Sequence, residues 1–314
     1  ALNAGNVHSA WEIVRRHARQ IREARVYDVA IGEGAINDLV QLVEHPDRRG
    51  EIRPLPRNPY DGRIVIPGSA IKGAIRTAVA NSFVQQMLER RQNQRPPEAW
   101  ESRVRNANID SLPKLWRTLE QEALATGGAL ERDPFRLLAV DDATVDPVRV
   151  RVDKVTLLKR GGDPAGMQGV QIHVERLLSC ADGISYDFEV SIALDVKKAA
   201  DPRVSETVSK TFDWKFLIDS CNYFFINRLN EECETFPSLY AALKPKSWQP
   251  PEGGFILRIG RFSHYESLSF DRLRRNENRA TGQAIFGMGS TRAACELAGG
   301  AGAPFGWIKL EPLE

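Results

Sequence analysis

The 314-residue chain is 42% apolar and 27% charged, with a net charge of +2. That apolar share supplies a real core and excludes a disordered chain. The near balance of charge excludes a polycation that attracts nucleic acid over its whole surface, so any such surface must be local. Residues Ser9–Glu12, "SAWE", form a capping box, which predicts a helix to about Ala24. "VYDVAIGEGAI" breaks at Gly32 and Gly34 ahead of a short apolar helix near "INDLVQLVEH". From Pro46 to Gly62 proline, glycine, arginine and asparagine predict an exposed loop.

An apolar run, "RIVI", then meets Pro67-Gly68-Ser69 and turns into a helix. Ser69 suits its N-cap. Ile71, Ala74, Ile75, Ala78, Val79 and Phe83 draw one continuous apolar stripe, which predicts a core-facing side. Ser69, Lys72, Gly73 and Arg76 line the other side beside the helix start. Unpaired N–H groups, partial positive charge and two cations together suit a phosphate. A capped helix with a solvated basic face has the same pattern, and no Walker A loop occurs.

Gln85 to Leu130 is polar and helical in pattern, punctuated by Pro96, Pro97 and Pro113, and reads as a helical insertion. "FRLLAVDDATV", "VRVRVDKVTLL", "GVQIHVERLL" and "ISYDFEVSIAL" then predict strands, with "DDATVDP" and "KRGGDPAGMQG" as turns. Phe212, Phe216, Leu217, Cys221, Phe224, Phe225 and Leu229 follow at helical spacing as a core ridge. "FILRIG" and "GWIKLEP" predict two closing strands around a loop-rich arginine segment. This order predicts an α+β fold, helices on one face of a mostly antiparallel sheet.

The arginine segment interleaves Arg258, Arg261, Arg272, Arg274 and Arg275 with Phe262, Tyr265 and Phe270, and adds Arg292 among glycines. Such interleaving suits an RNA backbone with stacked bases; a solvated surface loop has the same composition. His264 beside arginines could act as a general base on a ribose hydroxyl, although no partner is evident in sequence. Asp141, Asp142 and Asp146 could hold a metal, but adjacent carboxylates at a strand end more often form turns. Glu175 and Glu266 are equally ambiguous. The cysteines, Cys180, Cys221, Cys233 and Cys295, match no zinc spacing and predict buried thiols in a reducing cytoplasm. No run of about 18 apolar residues exists, so no membrane span is expected, and no signal peptide is visible.

"IPGSAIKGAIRTAV", "DPFRLLAVDDATV", "VERLLSCADGISYDFEVSI", "IGRFSHYESLSF", "GSTR" and "PFGWIKLEP" occur in this order between Ile64 and Leu313. In that order they resemble the RAMP proteins, the repeat-associated subunits of type III CRISPR effector complexes. The likeness is greatest to the Csm-type subunit that caps the guide 3′ end in type III-A or III-D complexes. The resemblance implies one RAMP domain over 1–314 with an RRM-like (ferredoxin-like) core. The helical insertion at 85–130 and a glycine- and arginine-rich closing segment at 253–314 belong to it. It implies guide RNA binding in antiviral defence through Ser69, Lys72, Gly73, Arg76, Arg258, Arg261 and Arg292. Its implied partners are guide and target RNA, neighbouring RAMP backbone subunits and a small helical subunit. No catalytic residue, metal or cofactor is expected. An endoribonuclease of the same superfamily, metal- or histidine-dependent, is the alternative, and a protein scaffold without RNA is a third reading. The family opens on a strand and a glycine-rich turn before any helix, for which Ala1–Glu12 offers no match.

Overall fold

The computed structural model describes residues 16–17, 19–20, 27–45, 50–92, 98–145, 150–160, 171–184, 187–195, 212–243, 248–277, 284–296 and 302–313. The Ser9–Glu12 capping box, Asp146 and most of the "KRGGDPAGMQG" turn lie outside them. The fold is mixed α+β. Its main sheet is built on two strands, β6 (Val150–Lys159) and β7 (Gln171–Leu177), paired antiparallel from Val150↔Leu177 to Lys154↔His173. Strand β12 (Thr291–Glu296) pairs antiparallel with the second half of β6, and β13 (Gly302–Pro304) follows it outward. Two short strands join in parallel. β1 (Ala30–Ile31) lies beside β6, and β2 (Gly50–Arg53) forms the edge beyond β7.

Strand β2 corrects the expected loop over Pro46–Gly62. Gly50↔Gln171 through Arg53↔Val174 pair it to the sheet, and Pro54, which has no N–H to donate, ends it. Four residues without alternation carry no strand signal; pairing with an existing edge creates the strand. Immediately after it, the Leu55 N–H and the Arg57 guanidinium both donate to Glu175 Oε2, at 2.9 and 3.0 Å. Glu175 is therefore a structural anchor.

Alternation along β6 separates two faces. Val150 and Leu158 point into the main core, and Lys154 on that face meets Asp38 of helix α1 (Glu33–Glu44) at 2.7 Å. Val155 and Leu157 point the other way, where Phe262 and Phe305 cover them with ring centroids 4.7 Å apart. One face thus meets helices, as expected, and the other is covered by aromatics from loops.

Helix α2 (Gly68–Gln92) follows strand β3 (Ile64–Ile66), and its stripe is buried as the periodicity predicts. Ile71, Ala78 and Val79 are 0% exposed. They pack on Leu217, Cys221, Phe224 and Phe225 of helix α5 (Trp214–Thr235), the predicted aromatic ridge. Asp213 caps α5 by accepting the Phe216 N–H at 2.7 Å. The outer half of α2 carries a second cluster: Ala80, Val84 and Leu88 meet Trp100 and Val104 of helix α3 (Glu98–Asn106) and Leu112 and Leu119 of helix α4 (Leu112–Ala123). Phe270 and Leu273 close this cluster. The polar helical stretch is thereby pinned to the long helix by one apolar seam.

Strands β4 (Leu138–Val140) and β8 (Ile192–Leu194) pair with each other, β5 (Ala143–Val145) pairs with β3, β9 (Phe255–Arg258) pairs with β14 (Trp307–Leu310), and β10 (Asn276–Glu277) pairs with β11 (Ala284–Ile285). Cys221 and Cys295 are buried and Cys233 is half-buried. Burial raises all three thiols, Cys233 to about 12 and Cys295 to about 11, as structural rather than reactive groups require. Among the described residues no helix is long and apolar enough to cross a membrane.

Candidate nucleic-acid interface

The start of α2 is built by contact with the β4–β5 turn. A Cβ on Gly68 would stand 2.3 Å from Val140 O and 2.6 Å from Asp141 O, so only glycine lets the helix begin there. The Gly68 N–H donates to Asp142 Oδ1 at 2.7 Å. That carboxylate takes the capping role expected of Ser69, which lies one residue inside the helix and is exposed. Asp142 therefore occupies part of the positive helix end. Asp141 and Asp142 serve the turn and the cap, and among the described residues no group of three or more His, Cys, Asp or Glu could hold a metal ion.

Lys72 and Arg76 are half-buried and held in place. Lys72 Nζ donates to Leu138 O at 2.6 Å. Arg76 Nε donates to Glu120 at 2.6 Å, its NH1 to Asp133 at 3.0 Å, and its guanidinium lies over the Phe135 ring. Gly73 sits between them on the exposed side, and a Cβ there would meet nothing within 4 Å among the described residues. The four expected residues thus lie together along one helix side, two exposed and two tethered.

The C-terminal arginines divide. Arg261 is exposed, near enough to Glu51 of β2 to lower its carboxyl pKa, behind the larger effect of Arg53. Arg258 and Arg292 are 2% and 1% exposed. Both point inward onto Glu232 of α5, Arg258 NH1 at 2.5 Å and Arg292 Nε at 3.2 Å. Arg292 also meets Glu266 at 2.8 Å, and the Gly289 N–H donates to the same carboxylate at 2.6 Å. Tyr240 donates its hydroxyl to Glu232 and accepts the Trp307 indole N–H at 3.0 Å. Two cations and two carboxylates, all buried, form one neutral cluster that ties α5, β9, β12 and the 264–268 turn together. Arg228, Arg274 and Asp271 make a second network at its rim. Sequence reading missed Glu232 as a partner. Its signal is a charged pair, Arg228 and Glu232, set four apart on the apolar stripe of α5.

His264 belongs to this cluster too. Its φ is 59°, and its Nε2 accepts the Ala293 N–H at 3.3 Å. Burial, and then the nearby Arg258 and Arg292 guanidiniums, push its pKa down to about 3. A neutral ring already accepting a main-chain N–H is badly set for removing a proton from a ribose. A folded-state pKa below the unfolded value of about 6.5 means the unfolded chain binds a proton first on acidification. Stability is therefore complete above about pH 6.5 and falls as pH drops toward 3. His264→Gln is expected to flatten the loss of thermal stability between pH 7 and pH 5. Equal slopes in the two proteins would refute the assignment.

A short strand followed by Gly-x-Gly does occur: β1 (Ala30–Ile31) leads through Gly32, the N-cap, into α1, whose second residue is Gly34. Gly32 is needed there: a Cβ would stand 2.0 Å from Asp153 Oδ1, and its N–H donates to Val152 O at 2.9 Å.

A sequence model of the RAMP superfamily matches residues 26–277, beginning just ahead of that strand. Among curated proteins none matches the chain. A chain of a cryo-EM structure of a Csm–crRNA–target RNA ternary complex, from a type III-A CRISPR-Cas system, is similar in fold. Its TM-score is 0.52 and its identity 18%, over 82% of this chain and 75% of that one. The crystal structure of T. onnurineus Csm5 also matches, at TM-score 0.44 and 18% identity, over 80% of this chain and 77% of that one.

Proposed function

The chain belongs to the RAMP superfamily, and from that premise we propose that it is a guide RNA-binding structural subunit of a type III CRISPR ribonucleoprotein. In this reading it is Csm-type, sits near the guide 3′ end and acts in antiviral defence in the cytoplasm. Guide and target RNA, neighbouring RAMP backbone subunits and a small helical subunit are its partners. The whole of 1–314 forms one domain with an RRM-like core, the insertion at 85–130 and the closing segment at 253–314.

The observation that carries this reading is Gly73. Glycine inside a helix costs about 0.5–1 kcal/mol relative to alanine. Gly68 repays that cost by close contact, but among the described residues nothing approaches within 4 Å of a Cβ at Gly73. A helix that keeps a bare backbone there, between two anchored cations, offers a close approach to something outside the chain. An RNA sugar-phosphate backbone fits: Ser69 and Gly73 leave room, Lys72 supplies charge from a fixed position, and Arg76, which already holds Glu120 and Asp133, turns only its remaining N–H groups to a phosphate. Arg261, exposed and without an ion pair among the described residues, adds a cation near Glu51 of the edge strand β2. Arg258 and Arg292 we assign to holding the loops that carry such contacts, because both face the interior.

Gly73→Ala is therefore expected to raise stability by about 0.5–1 kcal/mol and yet weaken guide binding. Lys72→Ala with Arg76→Ala should reduce guide retention by the natively purified complex. For single-stranded RNA the slope of log affinity on log salt should become shallower by about 1.4, two phosphate contacts at about 0.7 each. A complex that copurifies without RNA, or retention unchanged in both variants at physiological salt, would sink the proposal.

A further inference from the structure

Glu120 of α4 and Asp133 share one cation, Arg76. Asp133 is fully engaged. Its Oδ1 accepts the Phe135 N–H at 2.9 Å and Arg76 NH1 at 3.0 Å, and its Oδ2 lies 2.8 Å from the same NH1. Glu120 is engaged on one side only. Arg76 Nε and NH2 both reach its Oε1, each at 2.6 Å. Glu120 Oε2 accepts no hydrogen bond among the described residues, and the side chain is 24% exposed. This open oxygen stands close to the bare face of α2. Thr77, whose hydroxyl donates to Gly73 O at 3.0 Å, lines one cleft with Arg76 and Glu120.

Charge at this surface does not favour an anion by itself. Lys72 and Arg76 face three carboxylates: Glu120 and Asp133 on Arg76, and Asp142 at the Gly68 N–H. The helix end adds only about half a positive charge. A ligand held here must therefore offer a hydrogen-bond donor to the surplus carboxylate as well as a phosphate to Lys72. RNA carries both side by side, because the ribose 2′-hydroxyl donates as well as accepts. DNA carries only the phosphate. Lys72 and Arg76 are four residues apart, about 6 Å along the helix axis, a span that suits a phosphate and the sugar next to it. We propose that Glu120 is the sugar-reading residue of this interface: its Oε2 accepts a 2′-hydroxyl, so that RNA is selected over DNA. A cationic protein side chain would also satisfy Oε2, but Lys72 and Arg76 would repel it. The inference rests on the RNA-binding reading above and gives that site a chemical basis for choosing its ligand.

The test is a fluorescence-anisotropy titration of the full chain, stripped of RNA by high salt, with one single-stranded sequence made as RNA, as 2′-fluoro RNA and as DNA. The fluoro sugar keeps the RNA pucker but donates no hydrogen bond. RNA should bind at least about fivefold more tightly than either analogue. Glu120→Ala should bring the ratio of RNA to 2′-fluoro affinity close to one. Glu120→Gln, which keeps the packing and weakens the acceptor, should lower that ratio about twofold and serves where the alanine variant does not fold. Asp133→Asn, which disturbs Arg76 but leaves Oε2 in place, should move both affinities together and keep the ratio. A Glu120 that only held Arg76 for a phosphate would likewise change both affinities alike. A ratio near one in the parent protein, or a ratio kept in the Glu120 variants, therefore overturns the proposal, while the RNA-binding reading stands because RNA still binds. If no oligonucleotide binds, the guide-binding reading fails and the sugar-reading role falls with it.

Discussion

Replacing Glu232 by alanine is expected to lower stability by about 3–5 kcal/mol, the range for removing one partner of a buried ion pair. Glu232 is 0% exposed and is the carboxylate shared by Arg258 and Arg292. Without it Arg258 keeps a single hydrogen bond, from Nε to Phe305 O at 3.1 Å, and its position over the Trp307 ring. Arg292 keeps Glu266. One positive charge is then left uncompensated in the interior, where water cannot reach it. The Tyr240 hydroxyl, which donates to Glu232, loses its acceptor as well. Thermal unfolding should move down by about 5–10 °C, with a parallel fall in the urea midpoint. Glu232→Gln should lose less, because the amide oxygen still accepts from Tyr240 and from one guanidinium. A fall of less than about 1 kcal/mol for the alanine variant would mean that the cluster is solvated in solution.

The second large effect is expected at Gly68. Gly68→Ala puts a methyl group against two main-chain carbonyl oxygens, Val140 O and Asp141 O, which have no rotamer to yield. Either the helix start or the β4–β5 turn must move, at a cost of about 1–3 kcal/mol. The Asp142 cap depends on the same contact, so its hydrogen bond to the Gly68 N–H should lengthen or break. Gly73→Ala, five residues on in the same helix, is expected to act in the opposite direction on stability. The pair therefore separates a glycine kept for the fold from one kept for a ligand. If both variants lose stability alike, Gly73 has an intramolecular role and its assignment to RNA fails. Urea unfolding of the isolated chain reads stability, and guide retention in the complex reads binding.

Periodic features were legible from sequence. The stripes of α2 and α5 could be read residue by residue, because a core-facing helix must repeat its apolar positions. Strands β6 and β7 showed themselves by apolar runs of sufficient length. What could not be read is pairing at a distance. Strand β2 exists because β7 offers an edge, and nothing within "GEIR" requires it. Asp142 caps a helix that begins far back along the chain, so Ser69 looked the better choice locally. Arg258 and Arg292 stand in glycine- and aromatic-rich text that resembles an RNA-binding loop, and local sequence does not reveal that Glu232 and Glu266 are waiting for them. Of the expected interface, the side of α2 with Ser69, Lys72, Gly73 and Arg76 is assembled as one surface. Arg261 is exposed and Arg258 and Arg292 are not, and that division depends on partners the sequence brings from elsewhere.

The register of β12 against β6 has a consequence for the order in which the chain assembles. Thr291 pairs with Lys159 and Cys295 with Val155, so the second half of β6 waits for a segment made much later, while β1 and β7 serve its first half. Arg292 arrives on that same strand. Until it docks, Glu266 lacks its cation and Glu232 has only Arg258. Contacts of such long sequence separation slow folding, since the loop between them must close first. The late step joins sheet formation to charge neutralisation in a single event, which favours an all-or-none finish over gradual annealing. A nascent chain stalled before Thr291 is expected to hold the α2–α5 helical core while remaining sensitive to protease around β6, and release of the last segment should abolish that sensitivity.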